Sequence, residues 1–180
     1  VRHLVSEWIV PSSKNLPPFC LTCITLHLAE EAARREAPSG IQDTLQQLST
    51  LVMAGVLAPV LTEAIKESAP EAANTKVFLS NGLSVHEMNC RIAALSLRAM
   101  NHWCAVTHLS LAQIKHICTK VQINIVDTLN DAMYSDSRLV VDALAELMEC
   151  VMERHQVATV SEQRMTQVRY IMQVDENSFR

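Results

Sequence analysis

The same helix-start signal occurs four times in this chain of 180 residues. In each instance a Ser or Thr is followed three positions later by Glu or Gln, and an apolar stripe begins there. The four instances are Ser39–Gln42, Ser84–Glu87, Ser110–Gln113 and Thr159–Glu162. In such a capping box the hydroxyl accepts from the backbone N–H of the Glu or Gln, whose side chain accepts in turn from the backbone N–H of the cap. Four boxes predict a chain built from short helices.

The composition agrees with this prediction and excludes several classes of protein. Only 3 glycines occur, well below the roughly 7% of average usage, so turn-rich β folds and phosphate-binding loops are disfavoured. The chain is 49% hydrophobic and 19% charged, which indicates a folded protein. Its net charge of −4 argues against a general nucleic-acid binder, because such proteins normally present a basic face.

The N-terminal residues and the longest apolar run indicate whether the protein is secreted or inserted in a membrane. Position 1 is not Met, and Val1–Val10 resembles the end of a helix, so we expect a piece of a longer chain. No charged-then-apolar signal peptide is visible. The apolar run Leu51–Leu61 is interrupted by Gly55 and Pro59 and has about half of the roughly 20 residues that a membrane-spanning helix needs. A soluble protein without membrane insertion is predicted.

Cysteine usage points to a reducing compartment. The six cysteines are Cys20, Cys23, Cys90, Cys104, Cys118 and Cys150. Five fall inside predicted helices at positions expected in a core, where a free thiol acts as a small hydrophobe. Disulfide frameworks suit short, loop-rich secreted chains. The sequence therefore predicts reduced thiols in the cytosol or nucleus.

Apolar residues recur at helical spacing in about seven segments. The main stripes are Phe19, Cys23 and Leu26; Ile41, Leu45, Leu48 and Val52; Met88, Ile92, Leu95, Ala99 and Trp103; Ile114, Cys118, Val121, Ile125 and Leu129; Val140, Leu144, Leu147 and Val151; and Met165, Val168 and Met172. Gly55 and Pro59 are expected to break or kink the second helical region. Residues 67–83 read as a long loop.

The helix starts repeat at a regular interval. Helices that begin near 84 and near 136 lie 52 residues apart, and those that begin near 110 and near 159 lie 49 apart. This is close to the roughly 40–47 residues of HEAT and armadillo repeats. The predicted fold is all-α, an α-α superhelix of HEAT/armadillo-like antiparallel pairs at about 16–66, 84–131 and 136–173, forming one solenoid segment over 1–180. An ordinary helical bundle is the alternative.

Two helices carry a family resemblance. The run Ala94–Trp103 ends in a tryptophan shortly before a turn, and Leu139–Leu147 is an alanine-containing, Glu-containing helix after a Ser-Asp turn. Both resemble HEAT helices of the importin-β-like nuclear transport receptors, in particular the transportin-3, importin-13 and exportin group. Phe19–Leu48 is also similar to one of their helix pairs.

The resemblance implies a function in protein transport. It implies a superhelical scaffold that binds protein cargo, a small Ran-type GTPase and phenylalanine-glycine nucleoporins, and that works in the cytoplasm and nucleus. No residue matches a GTPase or cargo motif well enough to be assigned a contact. A HEAT-like scaffold of another process, such as vesicle coats or RNA turnover, is a second hypothesis.

Metal and catalytic chemistry form a third hypothesis, a compact helical Cys/His protein. Cys20, Cys23 and His27 share one helix face, but no second Cys-x-x-Cys or His-x-x-x-His supplies further zinc ligands. A second group of Cys and His residues follows later in the chain: His86, Cys90, His102, Cys104 and His108. A Cys and a His of this group could form a nucleophilic dyad if they meet in space. We predict no enzyme, no catalytic residue, no metal ligand and no cofactor.

Charged side chains suggest a solvated surface. Glu31 and Arg35 are spaced as an i, i+4 ion pair on a helix face. Arg164, Arg169, Lys115 and Lys120 could line a groove for an acidic partner, although ordinary surface charge explains them equally simply. Shallow apolar pockets between neighbouring helices could accept a phenylalanine from a partner.

Overall fold

The computed structural model describes residues 15–34, 42–68, 79 and 82–157. All regular elements in these ranges are helical, which confirms the all-α prediction. The elements are α1 (Pro18–Arg34), α2 (Gln42–Val52), a π-helical segment (Met53–Leu57), α3 (Ala58–Glu67), α4 (Val85–Thr107), α5 (Leu111–Thr119), α6 (Ile125–Met133) and α7 (Arg138–Val157). The predicted helix from Thr159 lies outside the described residues.

Helix α1 buries a different face from the one its apolar spacing predicts. Phe19 is 42% exposed, and Cys23 and Leu26 are only partly buried. The predicted stripe of Phe19, Cys23 and Leu26 is therefore wrong. The buried positions of this helix are Leu21, Thr22, Thr25 and Ala29.

Threonine hydroxyls explain why a partly polar face can be buried. Thr22 donates to the carbonyl of Phe19 at 2.8 Å, and Thr25 donates to that of Leu21 at 2.9 Å. Each hydroxyl finds its partner inside the helix, so burial leaves no polar group unsatisfied. Each threonine then presents mainly its methyl group to the neighbouring helices, and this group packs like a methyl group of valine.

Of the break or kink predicted at Gly55 and Pro59, the break does not occur. The helix continues from Gln42 to Glu67 through the π-helical segment Met53–Leu57, where the N–H of Ala58 donates to the carbonyl of Met53. Proline has no N–H for the usual i→i−4 bond. Because the wider π turn comes directly before Pro59, the change in bonding pattern accommodates the missing donor and the helix proceeds.

This continuity changes the membrane argument made from the sequence. Among the residues described, one helical stretch, Leu45–Glu67, is long and apolar enough to cross a membrane by length and composition alone. Over its most apolar window 56% of the stretch is buried inside the protein. A core helix of a folded domain meets the same criteria, and Val52, Met53 and Leu57 are fully enclosed by other helices.

The two capping boxes within the described residues form as predicted. Glu87 N–H donates to Ser84 Oγ at 3.1 Å, and Ser84 N–H donates to the Glu87 carboxylate at 2.8 Å. Ser110 and Gln113 make the same reciprocal pair at the start of α5. The boxes at Ser39 and Thr159 lie outside the described residues.

The predicted stripe from Ile114 to Leu129 is divided between two helices, so the single-helix prediction is wrong there. Helix α5 ends at Thr119, and α6 begins at Ile125. Between them Gln122 adopts a positive φ of 61°, and Asn124 caps α6 by accepting from the N–H of Asp127. The interruption leaves Val121 43% exposed, although it stands in register with the stripe.

Helix α4 lies at the centre of the fold. It packs against α1 on one side, α7 on the other, and α2 and α3 as well. Trp103 is fully buried, and its indole N–H donates to the carbonyl of Thr25 in α1 at 3.1 Å. Ala93, Leu97 and Cys104, which lie off the main apolar stripe, are buried too, as expected of a helix enclosed by neighbours.

Helix α7 runs parallel to α4. Its predicted stripe of Val140, Leu144, Leu147 and Val151 is buried, as expected. Arg98 meets Glu146 at 3.4 Å, and the Cys150 thiol lies 4.0 Å from the carbonyl of Asn101, which is 49 residues earlier. The later residue of α4 contacts the later residue of α7 in these two pairs, so the two helices run in the same direction. The division into helix pairs at 16–66, 84–131 and 136–173 stays a prediction.

We expect Trp103→Phe to lower the free energy of unfolding by about 1–3 kcal/mol, because it removes a buried hydrogen bond and leaves a small cavity. Urea denaturation followed by circular dichroism measures the change. Val121→Ala, at an exposed site, is the control and should cost less than about 0.5 kcal/mol. Equal costs for the two variants would contradict the central place given to Trp103.

Stability should also depend on pH through Glu87. Its pKa lies below the ordinary value of 4.5, because the backbone N–H and hydroxyl of Ser84 donate to the carboxylate. A depressed pKa stabilises the fold above the pKa of the unfolded state, and this stabilisation is lost as pH falls through the folded-state pKa. Glu87→Gln should therefore be less stable than the original protein at pH 7, with the gap closing below about pH 4.5.

Denaturant titrations of both proteins between pH 7 and pH 3 measure this gap. In a Ser84→Ala background the same Glu87→Gln change should produce a smaller gap, since the hydroxyl donor to the carboxylate is removed while the backbone N–H donor remains. A gap that stays constant across the pH range would refute the role of the capping box.

Candidate functional site

His86 and Cys90 come together at the start of α4, as their i, i+4 spacing allows. Cys90 Sγ lies 3.6 Å from His86 Nε2, and Ser137, which directly precedes α7, lines the same cavity as the thiol. The backbone carbonyl of Ser137 accepts from the N–H groups of Val140 and Val141, so the beginnings of α4 and α7 meet here. The other candidates, His102, Cys104 and His108, lie at the far end of α4.

The electrostatics of this cluster oppose nucleophilic catalysis. Burial raises the pKa of the Cys90 thiol. The Ser137 hydroxyl lowers this pKa by a smaller amount, and the carboxylates of Glu87 and Asp136 each raise it by less again. The thiolate is the nucleophile in cysteine chemistry. A thiol held in its neutral form at the ordinary pH of a cell is poorly suited to attack a substrate.

His86 also lacks the support that a catalytic histidine receives. Its Nδ1 atom is buried and has no hydrogen-bond partner, whereas a general base is normally oriented by a third group on its second ring nitrogen. A cavity of about 230 Å³ lies beside the pair. It is lined by His86, Glu87, Cys90, Arg91, Ser137 and Leu139. The cluster is best described as a packing contact between two helix starts.

The zinc candidates considered on α1 are Cys20, Cys23 and His27, and among the described residues they form no metal-binding group with other side chains. Cys20 is exposed, and the His27 side chain is 67% exposed and 4.0 Å from the carboxylate of Glu30. In the ranges that the structure describes, no group of three or more His, Cys, Asp or Glu side chains is placed to hold a metal ion. All six cysteines lie in the described ranges, and none of them forms a disulfide.

A second cavity lies between α2 and α5, and we call it the α2–α5 groove. It has a volume of about 360 Å³ and is lined by Gln46, Thr50, Leu109, Ala112, Gln113, His116, Ile117 and Lys120. Leu109 and Ile117 are buried and form an apolar floor. Of the four basic residues considered from the sequence, Lys120 lines this groove. Lys115 lies on the same helix outside it, and Arg164 and Arg169 lie outside the described residues.

Helix α7 leaves one apolar face exposed. Val141, Ala145, Met148 and Met152 follow one another at intervals of four, three and four residues, so they share a face. Met148 is partly buried against the core, and Met152 is 47% exposed. Glu146 and Cys150, which contact α4, lie on a different face. Among the described residues, this row is an apolar face of α7 that the neighbouring helices cover only in part.

Apart from Lys120, the sequence did not indicate which residues line the groove, because they form no pattern along the chain. Gln46 and Thr50 belong to α2, and Leu109 to the turn before α5. They meet because the π-helical segment that follows α2 packs against α5. The helical spacing of the row Val141–Met152 on α7 can be recognised in the sequence. Whether that row is exposed depends on which helices pack around α7.

Comparisons with known proteins identify no relative. No protein-family model matches the chain, and neither the curated proteins nor the solved structures contain a match. Inference about function therefore starts from the packing of the helices and the surfaces that they leave open.

The thiols should react in a defined order with an aromatic disulfide reagent. Burial raises the pKa of Cys118 to about 11 from an ordinary 9.0, so its thiolate fraction should be about a hundredfold lower than for an unperturbed thiol. We expect a variant that retains only Cys20 to react at least about a hundredfold faster than one that retains only Cys118.

Stopped-flow absorbance near neutral pH gives the two rates. In strong denaturant the two variants should react at similar rates, which controls for effects of neighbouring sequence. A Cys118 rate equal to that of Cys20 in the folded protein would show that the helices around Cys118 do not protect it.

Proposed function

We propose that this chain is a non-enzymatic protein-binding α-solenoid segment and that it serves as part of a nuclear transport receptor. The proposal includes the superhelical arrangement of HEAT-like pairs, which goes beyond the all-α fold described above. The observation that carries it is that α4 and α7 pack side by side in the same direction, as do the α2–α3 and α5–α6 regions.

The first support is the layer formed by α1, α4 and α7. Helix α4 packs between the other two, with Trp103 bonded to α1 and Arg98 paired with Glu146 of α7. The shift of 49 residues between Asn101 and Cys150 is close to the roughly 40–47 residues of HEAT and armadillo repeats. First helices of adjacent repeats are expected to meet in this way, because each repeat contacts mainly its neighbours.

The second support is a layer formed by the remaining helices. The π-helical segment packs on α5, and α3 packs on α6, so the two chain segments run in the same direction. Thr62 and Thr128 hydroxyls meet at 3.2 Å between α3 and α6. Thr107, at the end of α4, bonds Ser49 in α2 at 3.3 Å, which ties the two layers together.

The open face of α7 fits the same scheme. A solenoid pair needs a second helix to cover the apolar side of its first, and the predicted helix within 159–173 would supply it. Its stripe of Met165, Val168 and Met172 has the spacing to pack on Val141–Met152. That segment lies outside the described residues, and its placement is part of the proposal.

The proposed partners and cellular location come from the resemblance to the importin-β-like receptors. The partners are protein cargo, a Ran-type GTPase and phenylalanine-glycine nucleoporins, and the location is the cytoplasm and nucleus. Scaffolds of vesicle coats or RNA turnover share the solenoid and differ in these partners. The neutral, buried Cys90 thiol supports a scaffold over a Cys/His enzyme.

A direct binding experiment tests the proposal. The full-length protein that contains this chain is immobilised and exposed to a Ran-type GTPase locked in its GTP form, to the same GTPase bound to GDP, and to a phenylalanine-glycine repeat polypeptide. We expect binding to the GTP form or to the repeats, because these are the partners that the resemblance implies. The serine-glycine version of the repeat polypeptide is the control. The absence of binding of the full-length protein to both partners would refute the transport function.

A further inference from the structure

The α2–α5 groove combines features that select a ligand. Its apolar floor of Leu109 and Ile117 lies under a rim of polar side chains from both helices. Its volume of about 360 Å³ is at the small end of the roughly 300–1,000 Å³ of ligand pockets. That is room for one large side chain and its immediate neighbours, so the groove suits part of a peptide.

The walls of the groove are held in place before any ligand arrives. Gln113 accepts from the N–H of Ser110 at 2.8 Å through its side-chain oxygen, which fixes the start of α5. On the opposite wall the Thr50 hydroxyl donates to the carbonyl of Gln46 at 3.0 Å. A preformed groove loses little conformational entropy on binding, so modest contacts suffice for measurable affinity.

Charge at the rim favours an acidic ligand. Lys120 is exposed at the end of α5, and no carboxylate is among the described residues that line the groove. The whole chain, by contrast, has 19 acidic and 15 basic residues. An ammonium group beside an apolar floor attracts a carboxylate that stands next to a buried side chain, while a basic peptide gains no such pair.

We propose that the α2–α5 groove binds a short peptide segment in which a large apolar side chain is flanked by carboxylates. The apolar side chain lies on Leu109 and Ile117, and a carboxylate pairs with Lys120. This inference rests on the proposed protein-binding function and specifies one class of partner segment for it.

Fluorescence polarisation with labelled nonapeptides tests the inference. The probe has an Asp-Phe-Asp centre in a Gly-Ser context, and the comparison peptides carry Asn-Phe-Asn, Asp-Ala-Asp and Lys-Phe-Lys. We expect the Asp-Phe-Asp peptide to bind most tightly and the Lys-Phe-Lys peptide least, with affinity falling as salt is raised. Equal affinity for all four peptides would overturn the inference.

Two pairs of variants locate the binding site. Lys120→Glu should weaken binding of the Asp-Phe-Asp peptide by about fivefold or more, as expected for reversal of a charge at an exposed rim. Lys115→Glu makes the same charge change on an exposed residue of α5 outside the groove and should change affinity much less. Ala112→Trp should block the groove, while Ala145→Trp on α7 should leave binding intact. Circular dichroism confirms that all four variants fold.

The outcomes separate this inference from the proposed function. If the transport partners bind and the Asp-Phe-Asp peptide does not, the groove assignment is wrong and the function stands. If the peptide binds through Lys120 and both transport partners fail, the groove assignment stands and the transport function is refuted. Equal loss of peptide binding in Lys120→Glu and Lys115→Glu would also overturn the groove assignment.

Discussion

The burial of α4 on most of its circumference is the constraint on which the other helices depend. An enclosed helix must satisfy most of its polar groups without water, and three side chains of α4 show how this is done. Ser96 donates to the carbonyl of Ile92 at 2.8 Å, Thr107 donates to that of Trp103 at 2.6 Å, and the indole of Trp103 donates to the carbonyl of Thr25 in α1. Because these buried groups are satisfied, α4 can accept α1, α7 and the α2–α3 region as neighbours.

The sequence predicts well those helices whose ends and faces are determined locally. A capping box fixes the start of α4 through Ser84 and that of α5 through Ser110. The buried stripe of α7 follows directly from the spacing of Val140, Leu144 and Leu147. In these helices the local signal and the tertiary packing agree, so the pattern of apolar residues is sufficient.

Prediction of helix faces and helix ends fails where the tertiary structure determines whether a polar side chain is buried or how the backbone is bonded. The buried side of α1 contains Thr22 and Thr25, which hydropathy counts as polar although their hydroxyls are satisfied within the helix. Pro59 signals a break, yet the π-helical segment accommodates it. Val121 continues an apolar period, yet the positive φ of Gln122 ends that helix. The α2–α5 groove was equally hidden, because its two walls are far apart along the chain.

The same packing that buries α4 also determines where a partner can bind. Parallel neighbours leave shallow grooves between them, and the ends of such an array expose apolar rows that the next helix would otherwise cover. In the proposed solenoid, the row Val141–Met152 is the face that a further helix would cover. The α2–α5 groove is lined instead by residues of two helical regions that the structure already brings together. Further helices of the proposed solenoid would leave it accessible, which makes the groove, rather than the row on α7, the better candidate for a separate partner.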